Sequence, residues 1–561
     1  MAKADYYVPD DRPWFKYYPE GIPHHLDYPE VPLYQFLDDS AEKYPDKVAL
    51  IFYGKEITYK ELKELSDRFA SALQNLGIQK GDRVAFLLPN CPQFVIGFYG
   101  TMKAGAIPVP LNPLYTGEEL KYFFKDAEPR VMVVLDTFYE KVKEAEKVTP
   151  QLERIIITNI ADYFSIPKRI LGKLFGKIKT FKCEDSIKFK NFLNVPSRYN
   201  PVEINQKEDT AIILYTGGTT GEPKGVMLSH FNVISNTFAL DKWLKKVKFE
   251  SAIIVVPFFH IYAISAVFSL GVLRGIKFVL LPKFKTEETI QIIQKYKINY
   301  FPGVPAMYAA FWKYYQKKRQ HSFLESLTLC GSGTTSISSY LLEKIKKMAP
   351  QSFLVEGYGL SETSPLLSID SLSNKYKKKI GSVGIPFVDT DMRIIDPETK
   401  RELPLNQPGE IIVRGPQVFK GYWKKLEKTK EVLRNGWFHT KDIGRFDKDG
   451  MLYIEGRLDD MINVRGEKVW PREVEKVLES HPKVQEVAVI GVKDDYYGQA
   501  VKAYVVLKKD YQSSEKELVE FCKGKLAPHK VPGMVEFIES LPKSHLGKTL
   551  HYKLRKREDK K

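Results

Sequence analysis

Tyr215-Thr-Gly-Gly-Thr-Thr-Gly-Glu-Pro-Lys-Gly225 follows the apolar, β-branched run Thr210-Ala-Ile-Ile-Leu214. The pair reads as a buried strand that empties into a glycine-rich loop. Gly217, Gly218, Gly221 and Gly225 let the backbone turn back and approach a ligand with no Cβ in the way. The freed N–H groups form a concavity for an anion, Thr216, Thr219 and Thr220 add hydroxyl donors, and Lys224 adds a mobile positive charge. That chemistry suits a polyphosphate. It is not the Walker A word, which requires Gly-x4-Gly-Lys-Ser/Thr. The chain's single Gly-Lys-Thr, at residues 547–549, has Pro542 where the first glycine belongs. Taken by itself, a Gly/Thr-rich loop is an ordinary surface turn, so other parts of the chain must decide.

Composition narrows the classes. A chain of 561 residues is too long for one hydrophobic core, and 43% apolar with 28% charged residues marks a globular protein. Cys91, Cys183, Cys330 and Cys522 are scattered without a C-x-x-C pair, which speaks against a disulfide framework or structural zinc and fits a reducing cytosol. The formal net charge of +17 invites a nucleic-acid reading, yet the lysines are spread along the chain with no nucleic-acid-binding motif. Attraction for anionic ligands or for an anionic membrane surface explains that charge as well. The N-terminus, Met-Ala-Lys-Ala-Asp, lacks the apolar core of a signal peptide, so a cytoplasmic protein is expected, with peripheral contact at the inner membrane surface open. Residues 251–273 carry no charge apart from His260 and could span a bilayer by length, but Pro257, His260 and Tyr262 interrupt them. A strand, a turn and a buried helix are expected there. The sequence has no Gly-x-Ser-x-Gly elbow and no His-Glu-x-x-His zinc word.

Between residues 34 and 130 helical and strand patterns alternate, which predicts an α/β sheet. Residues 59–76 and 93–104 have helical spacing; 83–88, 106–109 and 131–135 are short strands. Residues 460–561 predict a compact α+β unit, with a helix over 471–478 and strands over 487–492 and 503–507. Residues 164–182 differ from both. Ile170, Leu171, Leu174, Phe175, Ile178 and Phe181 share a helical face, flanked by Lys168, Arg169, Lys173, Lys177, Lys179 and Lys182 with no acidic residue. This is the pattern of an interfacial helix on an anionic membrane. The alternative is a basic helix packed on its own domain, with Gly172 and Gly176 lowering its helicity.

A second word strengthens the polyphosphate reading. Glu356-Gly-Tyr-Gly-Leu-Ser-Glu362 sets a flat tyrosine between glycines, where it can stack on a purine. Glu362 offers a hard oxygen to Mg2+, although Ser361 could equally cap a helix. In this order, the two words resemble the acyl-adenylate-forming superfamily of acyl-CoA synthetases, nonribosomal adenylation domains and beetle luciferases. Further matches are Arg414-Gly-Pro-Gln-Val-Phe-Lys-Gly-Tyr-Trp423, Trp437-Phe-His-Thr-Lys-Asp442, Gly456-Arg-Leu-Asp459 and Leu541-Pro-Lys-Ser-His-Leu-Gly-Lys548. The chain is most similar to the medium- and long-chain fatty acyl-CoA synthetases of that superfamily.

The resemblance implies that a carboxylic acid is activated with ATP to an acyl-AMP and passed to coenzyme A. It implies a large N-terminal α/β domain with layered sheets, residues 1–458. A smaller, mobile α+β C-terminal domain, 459–561, would turn about Asp459. ATP would be held by the loop from Thr216 through Gly217, Gly218, Thr219, Thr220 and Gly221 to Lys224, and by Glu356, Gly357, Tyr358, Gly359 and Ser361. Asp442 would accept the ribose hydroxyls, Arg457 would help at ribose or phosphate, and Mg2+ would sit on Thr216 and Glu362. Lys548 and Glu362 would carry the catalysis, Lys548 by neutralising charge at the α-phosphate. The run Val256-Pro-Phe-Phe-His-Ile-Tyr-Ala263 is similar to a family segment that lines the acyl pocket. Phe259, His260 and Tyr262 would then flank the acid, with Gly303, Gly331 and Gly333 beyond. Val464, Arg465 and Gly466 would meet the pantetheine arm of coenzyme A.

Departures from the family pattern are Gly217 for serine, Ser361 for threonine, Lys441 for the glycine before Asp442, and Asn463 for lysine. Ile264 stands where some long-chain enzymes carry a gating tryptophan. A medium- or long-chain fatty acid is the expected substrate. The alternatives are an aryl or short branched acid, and an acyl-AMP ligase that loads a carrier protein. The partners are small molecules and no nucleic acid, with membrane contact through 164–182 and a homodimer both open.

Overall fold

The computed structural model describes residues 11–176, 178, 180–216, 222–318, 324–333, 337–464, 467–494, 498–544 and 547–559. Its largest sheet is built on six parallel strands: Val48–Phe52, Lys277–Leu280, Ser251–Ile254, Tyr300–Gly303, Leu329–Ser332 and Phe353–Gly359, in that spatial order. Antiparallel strands close both edges, Lys55–Thr58 on one and Leu366–Ile369 with Ile385–Pro386 on the other. A second sheet, wholly parallel, runs Ile107–Pro110, Arg83–Leu87, Val131–Leu135, Arg154–Thr158, Ser186–Lys188. Strands such as Val131–Leu135 are buried along their whole length, as expected of parallel sheets covered on both faces.

Helices fill the space between the layers. Tyr59–Asn75 starts at a capping box, in which the Glu61 N–H donates to Thr58 Oγ1 and the Thr58 N–H donates to Glu61 Oε2. Pro92–Lys103 opens on a proline at its first turn, and every one of its residues is buried. The two helices can touch only because residue 100 is glycine. A Cβ there would lie 2.6 Å from Phe69 Cβ and 2.7 Å from the Ser66 carbonyl oxygen. Gly100→Ala is therefore expected to cost about 1–3 kcal/mol through overpacking, seen as a lower midpoint in urea unfolding. An unchanged midpoint would show that the helices are free to separate.

A three-stranded antiparallel unit carries the glycine-rich loop: Thr210–Thr216, Lys224–Ser229 and Gly421–Tyr422. Thr216 and Lys224 face each other in register and so bracket the loop. A further antiparallel sheet holds Asp391–Ile395, Gly409–Arg414, Trp437–Phe446 and Leu452–Arg457. The last sheet combines Ile462–Val464, Glu467–Val469, Val484–Asp494, Gly498–Leu507 and Met534–Phe537, and its apolar clusters draw only on residues 462–554.

Two expectations change in detail. The C-terminal strands reach well beyond 487–492 and 503–507, because the antiparallel pair Val484–Asp494 and Gly498–Leu507 extends through polar positions that face its edges. Residues 251–273 do give a strand, a turn and a buried helix, but Tyr262–Ser269 is wound as a π-helix before Leu270–Leu273 continues it. Among the described residues no helix is long and apolar enough to cross a membrane.

Candidate active site

Because six strands are parallel, their carboxyl ends share one edge, the usual place for a ligand in an open α/β sheet. The carboxyl ends of three of these strands and the segments that follow them help enclose a cavity of about 170 Å³. His260 and Tyr262 follow the strand Ser251–Ile254; Gly331, Ser332 and Gly333 end or follow Leu329–Ser332; Gly357, Gly359 and Ser361 come from the Tyr358 word. Leu240, Leu244, Leu366 and Ile369 supply apolar wall. Glycine is required where the walls meet. A Cβ on Gly331 would fall 2.9 Å from Tyr262 Oη, and one on Gly359 would fall 1.6 Å from the Pro365 carbonyl oxygen. Ser332 brings its hydroxyl to this cavity, buried and without a hydrogen-bond partner among the described residues. Buried hydroxyls are normally satisfied, so this one is a ready contact for a polar group on a ligand.

Beside the cavity stand two linked polar groups. Asp442 accepts from Tyr358 Oη at 2.7 Å and from Arg457 Nη1 at 2.8 Å, one bond on each carboxylate oxygen. Cross-strand register places Asp442 opposite Arg457. Burial, and after it the Asp442 charge, push the Tyr358 phenol well above its ordinary value. In the second group, Tyr422 Oη donates to Glu362 Oε1 at 2.9 Å, and the Lys224 ammonium lies 5.0 Å from the Tyr422 ring centroid. Burial raises the Glu362 carboxyl; it lowers the Lys224 ammonium, helped by the nearby charge of Lys441. Arg457 and Asp442 both act electrostatically on Glu362, so the two groups form one field.

Lys548 lies in a tight turn closed by a bridge between Lys543 and Thr549, in which its N–H donates to Ser544 Oγ at 3.1 Å. The turn meets the helix that follows one strand of the large sheet. A Cβ on Gly547 would lie 3.5 Å from Ala306 Cβ, in the first turn of the helix Pro305–Lys318 that follows Gly303.

Not every expected residue joins this assembly. Glu356 is turned into the scaffold, accepting from the Ile337 N–H and from Lys378, which also bonds Asp370. Phe259 stacks near His260, with ring centroids 4.7 Å apart, and Gly303 is hemmed in by Phe301 and Tyr308; neither lines the cavity. Val464 is buried in the core of the last sheet. Gly217, Gly218, Thr219, Thr220, Gly221, Arg465 and Gly466 lie outside the described residues. Asp459 lies 3.9 Å from the Lys441 ammonium. Lys441 holds φ at 59°, a left-handed conformation that suits the glycine of the family pattern and that the lysine adopts nonetheless. Tyr422, Ser332 and Lys378 were missed as partners by the sequence reading. Tyr422 stands in the 414–423 word and was the one within reach.

Residues 37–423 match the family described as AMP-binding enzyme, and residues 473–548 match the AMP-binding enzyme C-terminal domain. A long-chain-fatty-acid–CoA ligase of Bacillus subtilis (strain 168) is 42% identical, with 98% of each chain covered. A protein of the same name from Escherichia coli O6:H1 is 34% identical, with 97% of each covered. Among solved structures, ATP-bound MatB from Rhodopseudomonas palustris superposes with a TM-score of 0.82 at 28% identity, over 94% of this chain and 98% of that one. With one cavity at the sheet edge, the polar field beside it and matches over nearly its whole length, the chain belongs to the AMP-binding enzyme family.

Proposed function

We propose that this protein activates a medium- or long-chain fatty acid with ATP and transfers the acyl group to coenzyme A. The observation that carries the reading is a largely apolar cavity whose wall includes His260, Gly331 and Ser332 together with Gly357, Gly359 and Ser361 of the nucleotide word. The names of its full-length relatives support the choice of acid. In the first step a carboxylate oxygen attacks the α-phosphorus of ATP, and the bond to pyrophosphate breaks. In the second, the coenzyme A thiolate attacks the acyl carbonyl carbon and AMP leaves.

Asp442 suits a ribose, since the hydroxyls can exchange with the bonds it now makes to Tyr358 and Arg457. Lys224, in register with Thr216 at the mouth of the loop, would meet the phosphates, and Lys548 would bring a second cation from the C-terminal unit. Thr216 and Glu362 offer hard oxygens to Mg2+, which on a triphosphate would offset the charge of the departing pyrophosphate. We place the boundary between fixed and turning parts at 458/459, with Asp459 as pivot and Lys441 as its ionic tether. Coenzyme A would then enter past residues 464–466.

This electrostatic arrangement has a pH signature. Glu362 must be ionised to hold the metal, and its carboxyl is raised by burial and lowered by Tyr422. The acid limb of kcat/KM for pyrophosphate release is therefore expected above the ordinary glutamate value of about 4.3. Tyr422→Phe removes a bond that favours the carboxylate, so the limb should move further up. A limb that stays in place would separate Glu362 from metal binding.

The reading is tested by thioester formation with ATP and Mg2+ across acids from acetate to palmitate, with benzoate and cinnamate included. Turnover should peak at medium or long chains. Pyrophosphate release without thioester would indicate a carrier-protein acceptor, and none with any acid would overturn the reading.

A further inference from the structure

Between the strands Arg154–Thr158 and Ser186–Lys188 the chain leaves its sheet and forms a short helix, Ile166–Leu174. Ile166, Ile170, Leu171, Leu174 and Phe175 all stay in the open, from 50% exposed at Leu171 to 76% at Leu174. Phe181 adds to them at 48%. Of fourteen large apolar side chains exposed among the described residues, six fall within residues 166–181, so this is one patch and not random scatter. The helix does not pack its apolar face on its own domain.

Its inner side is nevertheless fixed. Phe164 packs on Tyr53 and Phe52, with ring centroids 4.6 Å and 5.7 Å away, and the Lys168 ammonium lies 5.1 Å from the Tyr53 ring centroid. Gly176, at φ 62°, turns the chain so that Ile178 donates its N–H to the Gly172 carbonyl and folds over that glycine. The outward face is thus held outward by its supports. Charge completes the pattern: residues 164–182 contain six lysines or arginines and no acid, and among the side chains described there Lys182 alone pairs with a carboxylate, Glu184 at 2.8 Å. An apolar stripe with cationic margins is complementary to anionic headgroups over acyl chains.

Topology says which end of the molecule this face carries. Phe52 ends the strand Val48–Phe52, which runs parallel, within one sheet, to the strands whose carboxyl ends build the cavity. The helix is therefore mounted on the edge that holds the acid site. We propose that the helix Ile166–Leu174, with Phe175 and Phe181, forms an interfacial anchor that lies in the headgroup layer of an anionic bilayer. The anchor presents the acyl-binding edge to acid dissolved in that bilayer. Only this last consequence rests on the fatty-acid reading; the docking itself does not.

The test is co-sedimentation of the full chain with phosphatidylcholine vesicles, with and without phosphatidylglycerol, in the absence of substrate. Binding is expected to the anionic vesicles only and to weaken as salt rises. The triple variant Leu171→Gln, Leu174→Gln, Phe175→Gln should reduce it at least tenfold, as should Lys168→Gln with Arg169→Gln. The triple variant should keep full turnover of octanoate in solution and lose turnover of palmitate supplied in vesicles. Equal vesicle binding by wild type and triple variant would overturn the anchor. So would a wild type that ignores vesicles and is instead a dimer that the triple variant splits, since the patch would then join two copies. A wild type that binds vesicles but activates no fatty acid would leave the anchor standing and refute the acid. Turnover of palmitate in detergent without vesicle binding would do the reverse.

Discussion

Lys548→Ala is expected to slow acid-dependent pyrophosphate release by about 10²–10³-fold, the usual effect of removing one donor aimed at developing transition-state charge. Transfer from a supplied acyl-AMP to coenzyme A should change little. The asymmetry follows from position. The turn closed by Lys543 and Thr549 reaches Ala306, in the first turn of the helix that leaves the carboxyl end of the strand Tyr300–Gly303. A compact ammonium there can meet charge on the α-phosphate, and a methyl group cannot. Once the adenylate exists the extra charge that built up around the α-phosphorus during attack has passed to pyrophosphate, so the lysine has little further to do. Lys548→Arg tests the geometry, because a planar guanidinium keeps the charge but does not fit a site shaped for a point charge. The measurement is pyrophosphate release at saturating ATP, run beside thioester formation from purified acyl-AMP. Equal losses in both assays would mean that the turn acts on folding or on coenzyme A, and the assignment to adenylation would fail.

Much of this site was legible because its chemistry is written in contiguous words. Glycine-bounded loops and strand ends announce themselves locally: the word at 215–225 opens at the end of the strand Thr210–Thr216 and closes in Lys224–Ser229, and the word at 356–362 runs off the end of Phe353–Gly359. What the sequence hid were partners distant along the chain. Tyr422 stands 60 positions from Glu362, and Asp442 stands 84 from Tyr358. Glu356 shows the same limit from the other side. Its place in a nucleotide word suggested a ligand contact, but Lys378 and the Ile337 N–H engage its carboxylate. Lys441 departs from the family pattern where a glycine is usual, and its backbone holds a left-handed φ of 59°. The register against Gly409–Arg414 shifts between His439 and Ile443, so Lys441 sits in an irregularity that the flanking strand pairs hold against the residue's own preference. Periodicity predicts one helical face over residues 164–182; the structure winds only Ile166–Leu174, because the chain turns at Gly176, and it shows that the apolar side is left uncovered.

Asp442→Ala should be the most damaging single change at the nucleotide site, and it should act twice. Asp442 is buried and binds Arg457, whose guanidinium it holds above its ordinary value, and its removal leaves that cation partly buried with no counter-charge at this contact. Breaking a buried pair in this way costs about 3–5 kcal/mol. With 22% of its side chain exposed, Arg457 can recover some hydration, which puts the expected loss near the lower figure. Tyr358 loses its acceptor as well, and the ring that would lie against a purine is no longer held. The second effect is on ATP. Hydrogen bonds to a charged group contribute about 1.5–3 kcal/mol each, so losing the ribose acceptor should raise the KM for ATP by tenfold or more. Asp442→Asn separates the two effects. It keeps the shape and can still accept from Tyr358, so stability should fall less while ATP still binds poorly. The check is thermal unfolding with and without ATP, together with the KM for ATP in pyrophosphate release. If Asp442→Ala lowers stability yet leaves the ATP-dependent shift intact, Asp442 is a scaffold residue that pins Arg457, and the ribose must be held elsewhere.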